Sequence, residues 1–400
     1  MQNNSFENNF YISNKTSLRF LTILFFAQLF LRMLSYLNIL IFSNPRTLYY
    51  FDFALIGISV FYVCSIYFSR NIPKKPYAII GNCLWFCFLG IIVSLANSHI
   101  YTSFVNALVT QSLWFGALLL FWVFFNEANE NDLSFAEKTL SFATVIFTLI
   151  YFVWIINKTD DSEGYINCLY FGLCLLPTVF IHKKLWFRLF IIGFLTVNVI
   201  LSGKRAALIL FVLGLLIPLL TMISGRQKGR TIRIIIFVFL AVFLIYNFLS
   251  TRFDIIIFER MDNIFDDGGS GRDIIYERVW NSFKEASFIK KLFGHGFNSV
   301  SILTFVKTSA HNDFLEILYD YGIVGLIVYL AMLLKLIRYS RMLYVVKSQF
   351  APMFLCAVII FLVLSTFSHL IIYPTYIIFL LFFFSLGIYD LNRIKKEAVE

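Results

Sequence analysis

The chain has 400 residues, of which 60% are apolar and 14% charged, with 49 phenylalanines and a mean hydropathy of +0.80. Soluble domains run nearer about 45–50% apolar and about 25% charged, so this composition excludes a soluble fold and points to an all-α polytopic membrane protein. The net charge of +10 would suit a nucleic-acid partner if it were clustered, but it is dispersed over short loops, so no nucleic acid is expected.

The N-terminal stretch Met1–Asn14 is polar and Asn-rich, with no small-residue cleavage site after the first apolar run. The first apolar helix is therefore expected to be an uncleaved anchor. Runs of about 20 apolar residues, the length that crosses a bilayer, recur at 18–42, 49–69, 76–97, 104–125, 138–156, 164–182, 185–202, 204–223, 232–250, 315–337, 350–370 and 373–390. Twelve transmembrane helices are expected, the tenth with a polar start that moves its true beginning towards Tyr321. Arg32 is the clearest charge inside a span, read either as a buried structural pair or as a shifted helix boundary. All six cysteines (Cys64, Cys83, Cys87, Cys168, Cys174, Cys356) fall in apolar segments. They read as packing thiols, with no metal site.

Orientation follows from Lys and Arg in the short loops. With the N-terminus inside, the inner segments collect Lys15 and Arg19; Arg70, Lys74 and Lys75; Lys138; Lys183, Lys184 and Arg188; Arg226, Lys228, Arg230 and Arg233; Lys335, Arg338, Arg341 and Lys347; and Arg393, Lys395 and Lys396. The short outer loops hold only Arg46, Lys158, Lys204 and Arg205. Both termini are then expected to be cytoplasmic. The organisation reads as transmembrane helices 1–9 over 1–250, a large periplasmic loop over 251–312, and helices 10–12 with a cytoplasmic tail over 313–400.

Three features share the outer side. Leu201-Ser202-Gly203-Lys204-Arg205-Ala206-Ala207 makes a tight turn between two spans and leaves Arg205 at the interface. That guanidinium either snorkels to lipid headgroups or meets an anion. Gly268-Gly269-Ser270-Gly271-Arg272-Asp273 leads into Ile274–Phe288, where Ile275, Val279, Phe283 and Ala286 recur at helical spacing. This predicts an amphipathic helix lying along the membrane surface, with Arg272 in its first turn and Arg278 further along. A solvated helix start and an anion site fit equally well there. The third is His311-Asn312-Asp313-Phe314-Leu315-Glu316. Asp313 and Glu316 have capping-box spacing, so a helix is expected to begin there with His311 just outside it. His295 is a weaker candidate, because the glycines of Gly294-His295-Gly296 imply a loosely held side chain. Two arginines and a helix N-terminus suit a phosphate-bearing ligand, and no Gly-x-x-x-x-Gly-Lys nucleotide loop is present. A lipid-linked phosphate or diphosphate is the outward-facing alternative.

The motifs between 200 and 330 resemble the O-antigen ligase/polymerase superfamily, most closely the Wzy-type polymerases of O-antigen or capsule. The residues that carry the likeness are Ser202-Gly203-Lys204-Arg205-Ala206-Ala207; Ser270-Gly271-Arg272 followed by Trp280; Leu292-Phe293-Gly294-His295-Gly296-Phe297; and His311-Asn312-Asp313-Phe314-Leu315-Glu316 with Asp320-Tyr321-Gly322-Ile323-Val324-Gly325. The resemblance implies a GT-C-like fold in a bacterial inner membrane and a site facing the periplasm. It also implies metal-independent, inverting glycosyl transfer without a cofactor. The substrates implied are an undecaprenyl-diphosphate-linked donor and acceptor, with a chain-length regulator and a flippase as partners. Carried over by position, the likeness implicates Arg205, Arg272 and His311, with Arg205 and Arg272 holding the diphosphate; Arg278 and Lys204, which the likeness does not assign, are read as further diphosphate-binding cations. His311 orients or deprotonates the acceptor hydroxyl, and Glu316, Asp313 and His295 stand as alternative bases. Lys204 departs from the small residue usual before the first arginine. A ligase acting on lipid A-core is the alternative within the superfamily. A flippase of lipid-linked sugars is the alternative from another class, disfavoured by scarce mid-span charges and the lack of paired halves.

Overall fold

The structure, a computed structural model, describes residues 3–37, 39, 46–69, 78–97, 101–126, 128–157, 167–223, 228–250, 268–304, 306, 308–372 and 374–397. Helix is the regular structure among them, as lipid requires of a chain that must satisfy its own backbone groups. The elements are α1 (Asn3–Tyr36), α2 (Arg46–Ser69), α3 (Ala78–Ala96), α4 (Tyr101–Asn126), α5 (Glu130–Ile156), α6 (Leu169–Cys174), α7 (Thr178–Ile181), α8 (Leu185–Ser202), α9 (Arg205–Ile223), α10 (Lys228–Ser250), α11 (Gly268–Glu285), α12 (Phe288–Phe293), α13 (Ser299–Leu303), α14 (Asp313–Asp320), α15 (Gly322–Val345), α16 (Ala351–Phe367) and α17 (Pro374–Glu397).

Among the described residues, seven helices are long and apolar enough to cross a membrane (in α1, α4, α5, α8, α9, α15 and α17), joined by four shorter apolar helices. This is a multi-pass, all-α membrane protein. The expected apolar stretches are helical over most of their described length, some ending a few residues early, and two depart further. The sixth breaks at Leu175–Pro177 into α6 and α7, since Pro177 cannot donate into the preceding turn. The tenth begins at Gly322, and the residues before it form the separate helix α14.

The centre is aromatic. Phe382 of α17 packs edge-on to Phe121 and Phe125 of α4, at 4.9 and 5.0 Å between ring centroids. Phe379 stacks on Phe26 of α1 at 5.5 Å and meets Phe147 of α5 edge-on at 5.3 Å. Without a hydrophobic drive inside lipid, such packing and buried polar pairs hold the spans together. Arg32 is resolved as a structural pair: its guanidinium bridges Asp52 of α2, whose carboxylate also accepts from Gln28 Nε2, and all three side chains are buried. Five cysteines, Cys83, Cys87, Cys168, Cys174 and Cys356, are buried free thiols, and the side chain of Cys64 lies outside the described residues.

Polar contacts sort the helix ends into two faces. On one, Arg19 donates to Asp132 through Nε at 2.8 Å, Tyr389 donates to the Ala128 carbonyl at 3.2 Å, and Ser348 donates to Asp390. On the other, Lys204 reaches Asn167, Tyr376 donates to the Asn167 carbonyl at 3.1 Å, and Asn312 donates to the Thr366 carbonyl at 3.1 Å. Arg19 of α1, the turn between α4 and α5, the turn between α15 and α16, and Asp390 of α17 thus share the first face. The second holds Lys204, His311 and the turn after α16.

Candidate functional site

The expected amphipathic helix exists, but its apolar side faces protein. Val279 and Phe283 of α11 are buried with Val300, Ala310 and Tyr319, and Ile275, Leu315 and Leu318 pack around them. The pattern required one covered face; α13 and α14, not the membrane surface, cover it. Helix α11 ends at Glu285 rather than running to Phe288. Arg272 lies on this packed side and is half-buried, while Arg278, six residues on, is exposed. Gly271, just before Arg272, has φ +74°, a left-handed setting that glycine adopts without the Cβ cost. The loop stretch 251–267 lies outside the described residues.

His311 is held by its neighbours in the motif. Its own backbone is left-handed at φ 53°, a conformation costing about 1 kcal/mol or more that persists where surroundings impose it. Those surroundings are specific. The α14 N-cap is Asn312, whose Oδ1 accepts from Leu315 N at 3.1 Å. Glu316 reaches back to accept from Ala310 N at 2.6 Å. Asp313 accepts from Ile371 N at 3.3 Å and from the Tyr329 hydroxyl at 3.2 Å. The Asp313/Glu316 capping box is thus replaced by an Asn312 cap and a longer Glu316 clamp, because the residue preceding the helix, not its first member, has the extended backbone a cap needs. Asp313 and Glu316 are buried at 0 and 1% exposure, and burial raises both carboxyls, Glu316 to about 8. As alternative bases they are enclosed; as clamps they place His311.

The Leu292-Phe293-Gly294-His295-Gly296 stretch is a clasp on the other end of α14. His295 N and Gly296 N donate to the carbonyls of Tyr319 (3.1 Å) and Asp320 (2.8 Å). The Asp320 carboxylate accepts from the N–H groups of Asn298, Ser299 and Val300 at 2.6, 2.9 and 3.3 Å. His295 is therefore not loose: it stacks on Tyr319 with centroids 4.3 Å apart. Burial lowers its pKa, the Tyr319 carbonyl opposes this, and its charged neighbour is Lys290 rather than either site arginine.

The second face gathers a cationic cluster around two histidines. His311 Nδ1 lies 3.1 Å from Nδ1 of His369, in the turn between α16 and α17, and Ser309 Oγ is 3.2 Å from the same His369 atom. Lys204 and Arg272 both lie within electrostatic reach of the pair. Burial first, then Arg272 and Lys204, lower His311 to about 4. Burial, His311, Lys204 and Arg272 push His369 well down. Both rings are neutral near pH 7. The Lys204 ammonium sits 4.9 Å from the Tyr170 ring centroid, in the turn where Gly203 (φ 62°) caps α8. Arg205, half-buried, opens α9 directly after it. Lys204 and Arg272 thus flank an uncharged histidine, and Arg205 follows Lys204 at the start of α9.

Residues 189–330 match the family described as O-antigen ligase. This segment, about a third of the chain, is similar to the O-antigen ligase family. No curated protein matches the chain. The O-antigen ligase match runs from α8 to the start of α15, and so takes in Lys204, Arg205, Arg272 and His311 but not His369. Sequence reasoning missed His369 for a simple reason. It is a lone histidine at the edge of an apolar stretch, 58 residues from its partner, and only the tertiary fold brings the two together.

Proposed function

We propose that the protein is a polysaccharide polymerase. It moves the growing glycan from undecaprenyl diphosphate to the non-reducing end of an incoming lipid-linked repeat unit. The observation that supports this reading is the neutral His311 beside Lys204 and Arg272, within the matched domain. The scissile C1–O bond breaks with its electron pair leaving on the diphosphate, while the acceptor hydroxyl attacks C1 from the opposite face and inverts it. Arg205 and Arg272, with Lys204, balance the charge that develops on the diphosphate, a contribution of about 3 kcal/mol per well-placed donor. The hydroxyl proton passes to His311, which has a lone pair at neutral pH. Diphosphate is a good leaving group and needs no proton of its own. Arg278 is exposed and has no part in this scheme.

The site is assigned to the periplasmic face of a bacterial cytoplasmic membrane, with both termini inside, on the bias of Lys and Arg. The three-part organisation, with 251–312 as a periplasmic insert, follows from the same assignment. A flippase would deliver substrate to this face, and a chain-length regulator would set when extension stops. The deciding experiment is extension of a defined lipid-linked repeat unit in proteoliposomes: wild-type protein elongates it, and Arg205→Ala and Arg272→Ala lose elongation. Full elongation by both variants would remove the diphosphate role. Transport of unmodified substrate without elongation would replace the reading by a flippase. In a deletion strain, lipopolysaccharide capped by a single repeat unit marks a polymerase, and bare core marks a ligase.

A further inference from the structure

His369 is 5% exposed, lies outside the matched segment, and meets His311 nitrogen to nitrogen. The Nδ1–Nδ1 distance of 3.1 Å is a hydrogen bond, with ring centroids 4.8 Å apart and planes tilted by 50°. A neutral imidazole carries one N–H and one lone pair, and two lone pairs facing at 3.1 Å would repel, so one proton lies between the two Nδ1 atoms. Ser309 Oγ, 3.2 Å from the same His369 atom, then turns its own O–H elsewhere. The side on which the shared proton sits decides what His311 can do. Were His369 the donor, the proton of His311 would sit on Nε2, and that nitrogen could accept nothing from a substrate. With His311 as donor, Nε2 bears the lone pair.

The later state selects the second arrangement. Once His311 has taken a proton at Nε2, both its nitrogens carry hydrogen, and only a His369 presenting its Nδ1 lone pair can face it. The groups around the pair favour this. Lys204 from the α8–α9 turn and Arg272 from α11 act on both rings. They oppose a second cation, so His369 stays an uncharged acceptor. Thr308 Oγ1 lies 3.5 Å from His311 Nε2, which marks that nitrogen as the one turned away from His369.

We propose that His369 is the positioning residue of the reaction: it accepts the Nδ1–H of His311, fixes the tautomer with a free Nε2, and steadies the imidazolium that forms there. This rests on the glycosyl-transfer reading above. The role is that of the third group in a nucleophile–base–orienter chain, filled here by a neutral ring. Protons balance: the hydroxyl O–H breaks, the proton goes to His311 Nε2, and the Nδ1–H stays on His311 while its bond to His369 strengthens.

The test uses full-length protein in proteoliposomes, with kcat, KM and the pH dependence of elongation measured for His369→Leu, His369→Gln and His311→Ala. Leucine removes the acceptor; glutamine keeps one in its side-chain carbonyl. The expected result for His369→Leu is a fall in kcat of about 100-fold with KM within about twofold, and an acid limb of the kcat profile moved to lower pH, because the imidazolium has lost its acceptor. His369→Gln should keep kcat within about tenfold of wild type and the wild-type acid limb. Equal losses in the two variants, or loss of folded protein with an unmoved limb, would mean packing alone and overturn the proposal. Should His369→Leu fail to fold, a folded His369→Gln as slow as His311→Ala overturns it equally. The controls separate the layers. An unimpaired His311→Ala sinks the base assignment itself. An inactive His311→Ala beside a fully active His369→Leu sinks only the role of His369.

Discussion

The Gly322→Ala substitution offers a direct measure of the clasp that holds the junction of α14 and α15 against α12. Gly322 has φ +68°, and a Cβ there would stand 2.3 Å from the Leu292 carbonyl oxygen, 2.4 Å from its carbon and 2.6 Å from Phe293 N. All three are backbone atoms, so no side chain can swing aside. To reach even 3.0 Å, the two segments must part by about 0.7 Å. The left-handed backbone costs an alanine about 1–2 kcal/mol, and overpacking a close contact adds about 1–3 kcal/mol, together about 2–5 kcal/mol of stability. Two other glycines calibrate the sum. Gly271→Ala carries the strain (φ +74°) with nothing within 4 Å, and Gly193→Ala carries neither. Unfolding midpoints of the three variants in lipid nanodiscs should fall in the order Gly193→Ala, Gly271→Ala, Gly322→Ala. Gly193→Ala should match or exceed wild type, since alanine favours a helix interior. If Gly322→Ala unfolds with Gly193→Ala, or above Gly271→Ala, the clasp as described is wrong.

Elongation should also report the state of His311. Its pKa of about 4 means the base is protonated and idle below that pH, so kcat/KM should fall through a midpoint near 4 and be flat at neutral pH. A bound diphosphate offsets Arg272 and Lys204, so the acid limb of kcat, which reports the complex, should lie at higher pH; a limb at lower pH would refute the electrostatic account. Lys204→Gln should raise the kcat/KM midpoint towards the ordinary histidine value, with burial, the larger cause, keeping it below. Arg278→Ala should elongate within about twofold of wild type, because a solvated surface charge contributes little; a loss like that of Arg272→Ala would move it into the site. In the membrane core, Arg32→Met leaves Asp52 buried without its cation and should cost about 3–5 kcal/mol, while adding Asp52→Leu should recover most of it. Chemical denaturation of the single and double variants would show this, and equal stability of the two would refute the pairing.

Much of the candidate site was legible as motifs, and less as geometry. Arg205, Arg272 and His311 stand out because cations and a histidine at the ends of apolar helices are costly without a purpose. The roles of their neighbours were not visible. In His311-Asn312-Asp313-Phe314-Leu315-Glu316, spacing alone allowed either carboxylate to be a base or a cap. The fold makes Asn312 the cap and turns Asp313 and Glu316 into clamps, since their acceptors meet Ile371, Tyr329 and Ala310. The glycines around His295 suggested looseness, yet Gly294 is tight, with a Cβ position 2.2 Å from the Asp320 carbonyl oxygen. A glycine at close approach and a glycine in a flexible loop look the same in one dimension.

By itself, the sequence determined that the chain is helical and crosses a membrane many times. A run of about 20 apolar residues in lipid has one way to satisfy its backbone, and that choice is local. It also determined that Ile275, Val279 and Phe283 share a face. The tertiary structure alone decided what covers that face, because periodicity records that a stripe is buried and not by which partner. It alone broke the sixth span into α6 and α7, paired Arg32 with Asp52, and set His369 beside His311. Contacts between residues 58 positions apart depend on how helices cross, which is settled by packing complementarity over the whole bundle rather than by any local pattern.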